Sequence, residues 1–395
     1  MNWFGLHNGT LIGEPPAYVD KSKEPGRSII PIATPLQWLQ RSPFVLVTSP
    51  NFVWASIALA MYYWFPYTMA VTTPVSVAFF AERFPLWFTL VFGYDLFWHV
   101  ALYGFHLANR PFVRDRVYNV DKVAHNIFWT TSGIAIWTLF ENVFAYLWSS
   151  GRLPYATDSI WSIGLALMAV PVWRSVHFYF AHRFLHFGPL YQQVHSLHHR
   201  NTDVEPFSGL CMHPVEHMYY YACVAPSLLF VCSPFAFLWN GVHLLLSPGA
   251  SHSGYEDHFQ SDAFHYLHHR YFECNYAGTD AAFMDVAFGT YRGALADSDA
   301  GGGREDAKSS LRVVPTREFL VYLGGSAACF GAAYFIHLPM VPALAMGFGP
   351  VGLAVAMSSW SDKGTLNAFG YLFHIIMGVL FCSVPITYMC WLALA

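Results

Sequence analysis

The sequence predicts an all-α, polytopic helical membrane protein. Composition is the first reason: 55% of the 395 residues are hydrophobic and 11% are charged, against roughly 25% charged in ordinary soluble domains. The second is an aromatic content of 18%, with 14 Trp and 23 Tyr, residue types that gather at membrane–water boundaries. The third is a series of apolar runs approaching the roughly 20 residues that a spanning helix needs. The formal net charge of −4 implies no nucleic-acid partner. The seven cysteines (Cys211, Cys223, Cys232, Cys274, Cys329, Cys382 and Cys390) lie mostly in apolar runs. They form no disulfide framework or CxxC pattern and read as packing residues.

Residues 1–42 are polar, hold several prolines and lack the apolar stretch of a cleavable signal peptide, so they read as a soluble segment. Residues 43–150 should hold the N-terminal transmembrane helices. A first span covers about Phe52 to Phe65 and is expected to begin nearer Phe44; the patch Pro74 to Phe80 is too short to span alone. Pro85 to Phe105 carries Asp95 and His99, read as a hydrogen-bonded structural pair or as cavity-lining groups. Val123 to Trp148 is the next span, and His106 and His125 lie at span edges.

Residues 151–293 are read as the catalytic domain. After the polar turn Gly151 to Asp158, a span runs from Ile160 to about Ala181; Gly188-Pro189 should stop that helix and a new one start near Tyr191. Met218 to Leu246 is either one tilted span or a hairpin broken at Ser233-Pro234, and the chain should leave the membrane at Ser247. Residues 294–318 form a linker with an Asp/Gly/Ser-rich core. Residues 319–395 hold C-terminal spans, near 319–337, 339–358 and 369–394, with no residue set that suggests chemistry.

The chemistry concentrates between His177 and His269, which hold 14 of the 20 histidines. Three groups repeat one pattern: His182-Arg-Phe-Leu-His186, His195-Ser-Leu-His198-His199 and His265-Tyr-Leu-His268-His269. Helical neighbours three and four residues apart share a face, so each group directs its imidazoles to one side. Neutral imidazole is the commonest side-chain metal ligand and suits zinc, iron, copper and nickel. A structural zinc takes only four ligands, so eight imidazoles fit two ions better than one. An unbroken helix would turn His195 away from His182, whereas a kink at Gly188-Pro189 lets both groups meet. The groups lie at span ends beside Arg174, Arg183, Arg200, Arg270 and Arg292. The positive-inside tendency then makes that face cytosolic. The full expectation is a cytosol-facing, histidine-rich di-metal site at the helix ends. Paired iron in such a site reduces O2 and attacks unactivated C–H bonds, which side chains alone cannot do.

The flanking residues add a resemblance. His182-Arg183-Phe-Leu-His186, His195-Ser-Leu-His198-His199, His213-Pro-Val-Glu216, His252-Ser-Gly-Tyr255, His265-Tyr-Leu-His268-His269, Asn275-Tyr276 and Phe288-Gly-Thr290 resemble, in order and spacing, the fatty acid hydroxylase / sterol desaturase superfamily over about residues 160–293. His-Ser-Gly-Tyr and Cys274-Asn275-Tyr276 look closer to its sterol branch. The resemblance implies an O2-dependent di-iron oxidoreductase of the endoplasmic reticulum membrane, multi-pass, acting on a sterol or sterol precursor by desaturation, hydroxylation or epoxidation. It also implies cytochrome b5 and its reductase as electron donors; a purified protein could carry zinc in place of the two iron ions. Two positions depart from the family pattern: Ser175, beside Arg174, stands where many members carry Asp, and Asn275-Tyr276-Ala277 replaces Asn-Tyr-Gly.

The expected metal ligands are His182, His186, His195, His198, His199, His252, His265, His268 and His269. His217, His213 and His177 are candidates either to bind metal or to orient a ligand, and Glu216, Asn275 and Asp285 to hydrogen-bond one. His243, His258, His337 and His374 read as structural, and Arg183 and Arg270 as membrane-interface cations. Three other readings stay open. One is a fatty acyl or sphingolipid hydroxylase of the same superfamily. Another is a non-catalytic membrane metal binder or transporter, disfavoured because the histidines gather at one face. The last is a haem protein using His99 and His243.

Overall fold

The computed structural model describes residues 51–292, apart from 68–69, 114–117, 259, 279–280 and 289, and residues 368–394. It also describes an antiparallel pair of two-residue strands, Leu6–His7 and Thr10–Leu11. Otherwise the described chain is helical, as its composition predicts. The linker and the first two expected C-terminal spans lie outside the described residues, as do Phe44 and most of residues 1–42.

Ten helical elements carry the fold among the described residues. Helix α1 is Asn51–Trp64, and Pro66 prevents its continuation. Helix α2 is Val77–His99, capped by Ser76 Oγ accepting from the Phe79 N–H and prolonged by a π-helical turn at Val100–Gly104. The Pro74–Phe80 patch is thus mainly the first turn of this helix and not a separate element, and Pro85 sits inside it. Helix α3 is Val120–Ser149, capped by Asn119, and α4 is Ile160–Leu185, opened by a reciprocal Ser159–Ser162 capping box.

The break after α4 falls at His186-Phe187, earlier than expected. Gly188, at φ 41°, and Pro189 begin the next helix, where a first-turn proline has no N–H to lose. The runs Gly188–Leu190, Tyr191–His195 (a π turn) and Ser196–His199 follow without interruption and form α5. Helix α6 is Pro214–Tyr221. The apolar stretch beyond it is broken as the hairpin alternative foresaw: Ser233 caps α7, Pro234–Ser251, which continues past the expected exit at Ser247 with Pro248 inside it. Helix α8 is Ala263–Tyr271, α9 is Ala282–Ala287, and α10 runs through Ala368–Gly378, Val379–Ser383 and Val384–Leu394.

Helix α7 is the axis of the bundle. It is buried along most of its length and packs against α1, α2 and α4, while α10 lies along α4. Trp87, Trp137, Phe144, Phe237 and Trp239 form the core, each large side chain worth roughly 1.5–3 kcal/mol of transfer from water. The fit of the Trp137 side chain, from α3, against α7 depends on Gly241, where a Cβ would lie 2.2 Å from Trp137 Cζ2. Among the described residues, three helical stretches are long and apolar enough to cross a membrane: Val77–Gly104, Ile160–Leu185 and Leu372–Leu394. Apolar side chains stand exposed on the outer faces of all three, such as Phe97 on α2, Trp161 and Leu165 on α4 and Leu372 and Ile376 on α10, as lipid-facing residues do. Helix α1, at 14 residues, is short for a span.

Arg83 and Glu141 form a buried ion pair inside the bundle. Arg83 Nη2 donates to Glu141 Oε1 at 2.7 Å, Tyr67 donates to the same oxygen at 2.8 Å, and Trp87 Nε1 donates to Oε2 at 2.8 Å. Asp95 and His99 are both buried but are not bonded as a pair. His99 meets Tyr118 and Glu205, and Asp95 packs on Gly249, where a Cβ would lie 1.9 Å from Oδ1. Neither belongs to the histidine centre. Arg183 is not an interface cation: it is buried, donates to Tyr179 Oη and lies over the Tyr276 ring. The described cysteines are free, and Cys211, Cys223, Cys274 and Cys382 are buried.

Candidate metal centre

The folded bundle brings the three histidine groups together from α4, α5 and α8, and α7 adds His252 at its C-terminal cap. The imidazoles divide into two sets. One holds His182, His186, His195, His199 and His268; the other holds His198, His252, His265 and His269. Within each set the candidate ligand nitrogens lie within 4.8 Å of one another, and every member is buried. Successive helical residues are about 100° apart. The adjacent histidines of each doublet therefore separate: His198 joins one set and His199 the other, as do His269 and His268. The i, i+4 pairs His182/His186, His195/His199 and His265/His269 each stay within one set.

The hydrogen bonds fix how the rings face. His182 Nδ1 donates to Tyr276 O at 2.8 Å and His268 Nδ1 to Cys274 O at 2.6 Å. In the other set His252 Nδ1 donates to Pro248 O at 2.8 Å and His198 Nδ1 to Cys211 O at 3.2 Å. A carbonyl only accepts, so each of these four rings carries its proton on Nδ1 and turns a bare Nε2 lone pair into its set. Nε2 of His199 lies 3.2, 3.0 and 3.1 Å from Nε2 of His186, His195 and His268. Nε2 of His252 lies 3.0 Å from Nε2 of His269. One ring proton cannot serve several lone pairs, and His182 Nε2 has no hydrogen-bond partner among the described residues. A proton is also not the shared cation. Burial, with repulsion from neighbouring rings, lowers the pKa values of His195, His199, His265, His268 and His269, and burial lowers His198 to about 4. Neutral imidazoles converging through lone pairs fit one metal ion per set.

The other candidates fall into supporting places. Glu216 Oε1 lies 2.7 Å from His195 Nδ1, the carboxylate–histidine contact that orients metal ligands. Asp285 accepts from the N–H groups of Tyr276 and Ala277, both at 2.9 Å, and from Thr290 Oγ1 at 2.6 Å. Asn275, at φ 53°, is tied to Phe264 O and to both backbone groups of Arg292. Together they hold the loop whose carbonyls at residues 274 and 276 receive His268 and His182. Phe272, at φ 63°, is a strained turn before that loop and packs its ring on His199.

The three further candidate histidines stand apart from both sets. His177 binds Phe381 O at 3.1 Å and joins α4 to α10. His213 caps α6 by accepting from the Val215 N–H at 3.2 Å. His217 lies against Gly133, where a Cβ would be 2.3 Å from its Cε1, and stacks on Tyr221. His374 packs on Phe288, and His243 meets Asn51 Oδ1 at 2.6 Å.

A cavity of about 200 Å³ opens on the centre. Its histidine end includes His182, His195, His198, His252 and His265, and its far end Arg174, Ser175, Tyr220, His243 and Ser247, with Trp54, Phe178, Leu185 and Met212 along the walls. The sequence marked Arg174 and Ser175 as a departure from pattern and Arg174 also as a span-end cation; that they line a cavity follows from the packing of α4 on α6 and α7. The backbone acceptors at Cys211, Pro248, Cys274 and Tyr276 have no sequence signal, since any residue supplies a carbonyl.

Fold and site together define a helical membrane protein with a buried centre able to hold two metal ions. Residues 167–290 match the family described as fatty acid hydroxylase. The Delta(7)-sterol 5(6)-desaturase of Gibberella zeae is 27% identical over 175 residues, 41% of this chain and 48% of that protein. The C-4 methylsterol oxidase of Schizosaccharomyces pombe is 27% identical over 165 residues, 36% of this chain and 52% of that protein. Methylsterol monooxygenase 1 of Gallus gallus is 28% identical over 152 residues, 35% of this chain and 51% of that protein. The chain therefore spans about half the length of each of these relatives. No solved structure matches. Residues 167–290 thus resemble the fatty acid hydroxylase / sterol desaturase superfamily, and the relatives named are sterol-modifying enzymes.

Proposed function

We propose that this protein is a membrane-bound, O2-dependent di-iron oxidoreductase acting on a lipid, a sterol or sterol precursor. The observation that carries the proposal is the pair of neutral, buried histidine sets at the end of one cavity. His182, His186, His195, His199 and His268 would hold one ion and His198, His252, His265 and His269 the other. Bound iron supplies the reduction of O2 and the oxidising power for a C–H or C=C bond, which no side chain provides.

The chain's own residues do the rest. Glu216 and the carbonyls of Cys211, Pro248, Cys274 and Tyr276 fix ring orientation before anything binds. Burial of every set member keeps bulk water from the centre. Phe178, Leu185 and Met212 form an apolar wall along which a lipid carbon reaches the histidine end. Desaturation, hydroxylation and epoxidation all fit this arrangement. The homology to a sterol desaturase and to methylsterol oxidases supports the sterol choice. A location in the endoplasmic reticulum, a cytosol-facing centre and electron delivery by cytochrome b5 and its reductase belong to the same proposal. Arg174 and Arg183 lie inside the bundle, so support for the cytosolic face rests on Arg200, Arg270 and Arg292.

Lipid profiling after expression in sterol-mutant yeast tests the function, with His198→Ala and His268→Ala as controls. The wild type is expected to produce an oxidised sterol or sterol precursor that both controls lack. Unchanged sterols, squalene and fatty acids relative to the controls would overturn the proposal.

A further inference from the structure

We infer that the cavity recognises a hydrogen-bond-accepting oxygen on its lipid, held at Arg174, while the carbon to be oxidised lies at the histidine end. The inference deepens the lipid-oxidase proposal and rests on it only in calling the bound lipid a substrate. Arg174 lies near the middle of α4, one of the helices able to cross a membrane. An ionisable group at that depth is costly, turns inward and marks a ligand or ion pathway. Here it lines the cavity.

The guanidinium is held in place. Nη2 donates to Tyr220 Oη at 2.9 Å and to Ser247 Oγ at 3.0 Å, and Tyr220 Oη in turn donates to Leu244 O at 2.9 Å. Its carbon sits 5.0 Å from the Phe178 ring centre, and that ring stacks on His182 at 4.7 Å. Arg174, Phe178 and His182 thus form a column on one face of α4, spaced four residues apart and all lining the cavity. Their backbone positions span roughly 12 Å at 1.5 Å per residue. A ligand along this column has one point at the guanidinium and another, several bonds away, at the histidines.

A second observation stands independently of the arginine. Ser175 Oγ, on a residue 1% exposed, lines the same end of the cavity and has no hydrogen-bond partner among the described residues. Opposite lies Gly278, where a Cβ would be 3.2 Å from Arg174 Nη1 and 3.5 Å from Ser175 Oγ. The glycine keeps the space beside the guanidinium open, where a Cβ would crowd Nη1. A guanidinium beside a hydroxyl at the polar end of a cavity with apolar walls matches an acceptor such as a carboxylate, hydroxyl or keto oxygen.

Equilibrium binding to the purified full chain tests this with two probes sharing one ring skeleton: 5β-cholestane, which has no oxygen, and 5β-cholanic acid, which carries one carboxylate. Wild type is expected to prefer the acid by about tenfold or more. Arg174→Gln should abolish that preference while 5β-cholestane affinity stays within about twofold. Tyr220→Phe, which weakens the tie between α4 and α6 but keeps the cation, should retain it. If Arg174→Gln does not fold, Ser175→Ala and Gly278→Ala serve instead, each expected to cut the preference several-fold. Equal binding of both probes by wild type would overturn the inference, as would a preference that persists in Arg174→Gln or in both substitutes. Because binding is read without turnover, a retained preference in a protein that oxidises no lipid would sink the oxidase proposal and leave this one standing.

Discussion

Oε1 of Glu216 lies 2.7 Å from Nδ1 of His195, and both side chains are buried. Glu216 comes from α6 and His195 from α5, so this contact sets the ring from outside its own helix. Glu216→Gln keeps the shape and removes the charge. Metal affinity is expected to fall about 10–100-fold, measured by chelator competition, with little change in helical content. Unchanged metal retention would show that His195 does not rely on this carboxylate.

Asp285 serves the same end at one remove. Its carboxylate accepts from the N–H groups of Tyr276 and Ala277, and the Tyr276 carbonyl receives His182. Asp285→Asn turns an amide donor toward at least one of those donors. Leaving a buried donor unsatisfied costs about 1–3 kcal/mol, and thermal unfolding in detergent should show a loss of that size together with metal release. A variant as stable as wild type would mean that the loop is held by Asn275 alone.

His217 separates a structural histidine from a ligand. It is fully buried but belongs to neither set. His217→Ala is expected to keep the wild-type metal content, whereas His199→Ala and His252→Ala should each lose at least one ion. Elemental analysis of the three proteins, purified in parallel, decides the point; metal loss in His217→Ala would move that residue into the centre.

The Arg83–Glu141 pair tests the bundle without touching the centre. Glu141→Ala strands a buried guanidinium and removes the acceptor for Tyr67 and Trp87. Breaking such a pair costs about 3–5 kcal/mol. The expected result is a large drop in unfolding temperature, with metal still bound in the fraction that folds. A shift of only a degree or two would show that water or lipid replaces the lost partner.

The histidine centre was legible because its signal is local. The spacing of His182/His186, of His195/His198/His199 and of His265/His268/His269 survives any packing, and the His252-Ser-Gly-Tyr255 motif supplied the ninth ring. The division into sets was not legible. It depends on the rotation between adjacent residues and on where α4, α5 and α8 meet, so doublets that read as one unit split between two ions. His217 and His177 looked like candidates because one-dimensional nearness to the motifs cannot show that their rings face Gly133 and Phe381. The helix boundaries near Pro85 and Pro189 were misjudged. A span expected to begin at Pro85 begins earlier, because the proline is absorbed within α2, and the stop expected at Gly188-Pro189 is instead the first turn of α5.

The central claim is that the histidines form two metal sites, and counting the metal tests it most directly. Elemental analysis of the wild-type chain, purified without added chelator and loaded anaerobically with ferrous iron, is expected to give two ions per chain. A single ion, or none above the level of a His268→Ala, His269→Ala double variant, would contradict it.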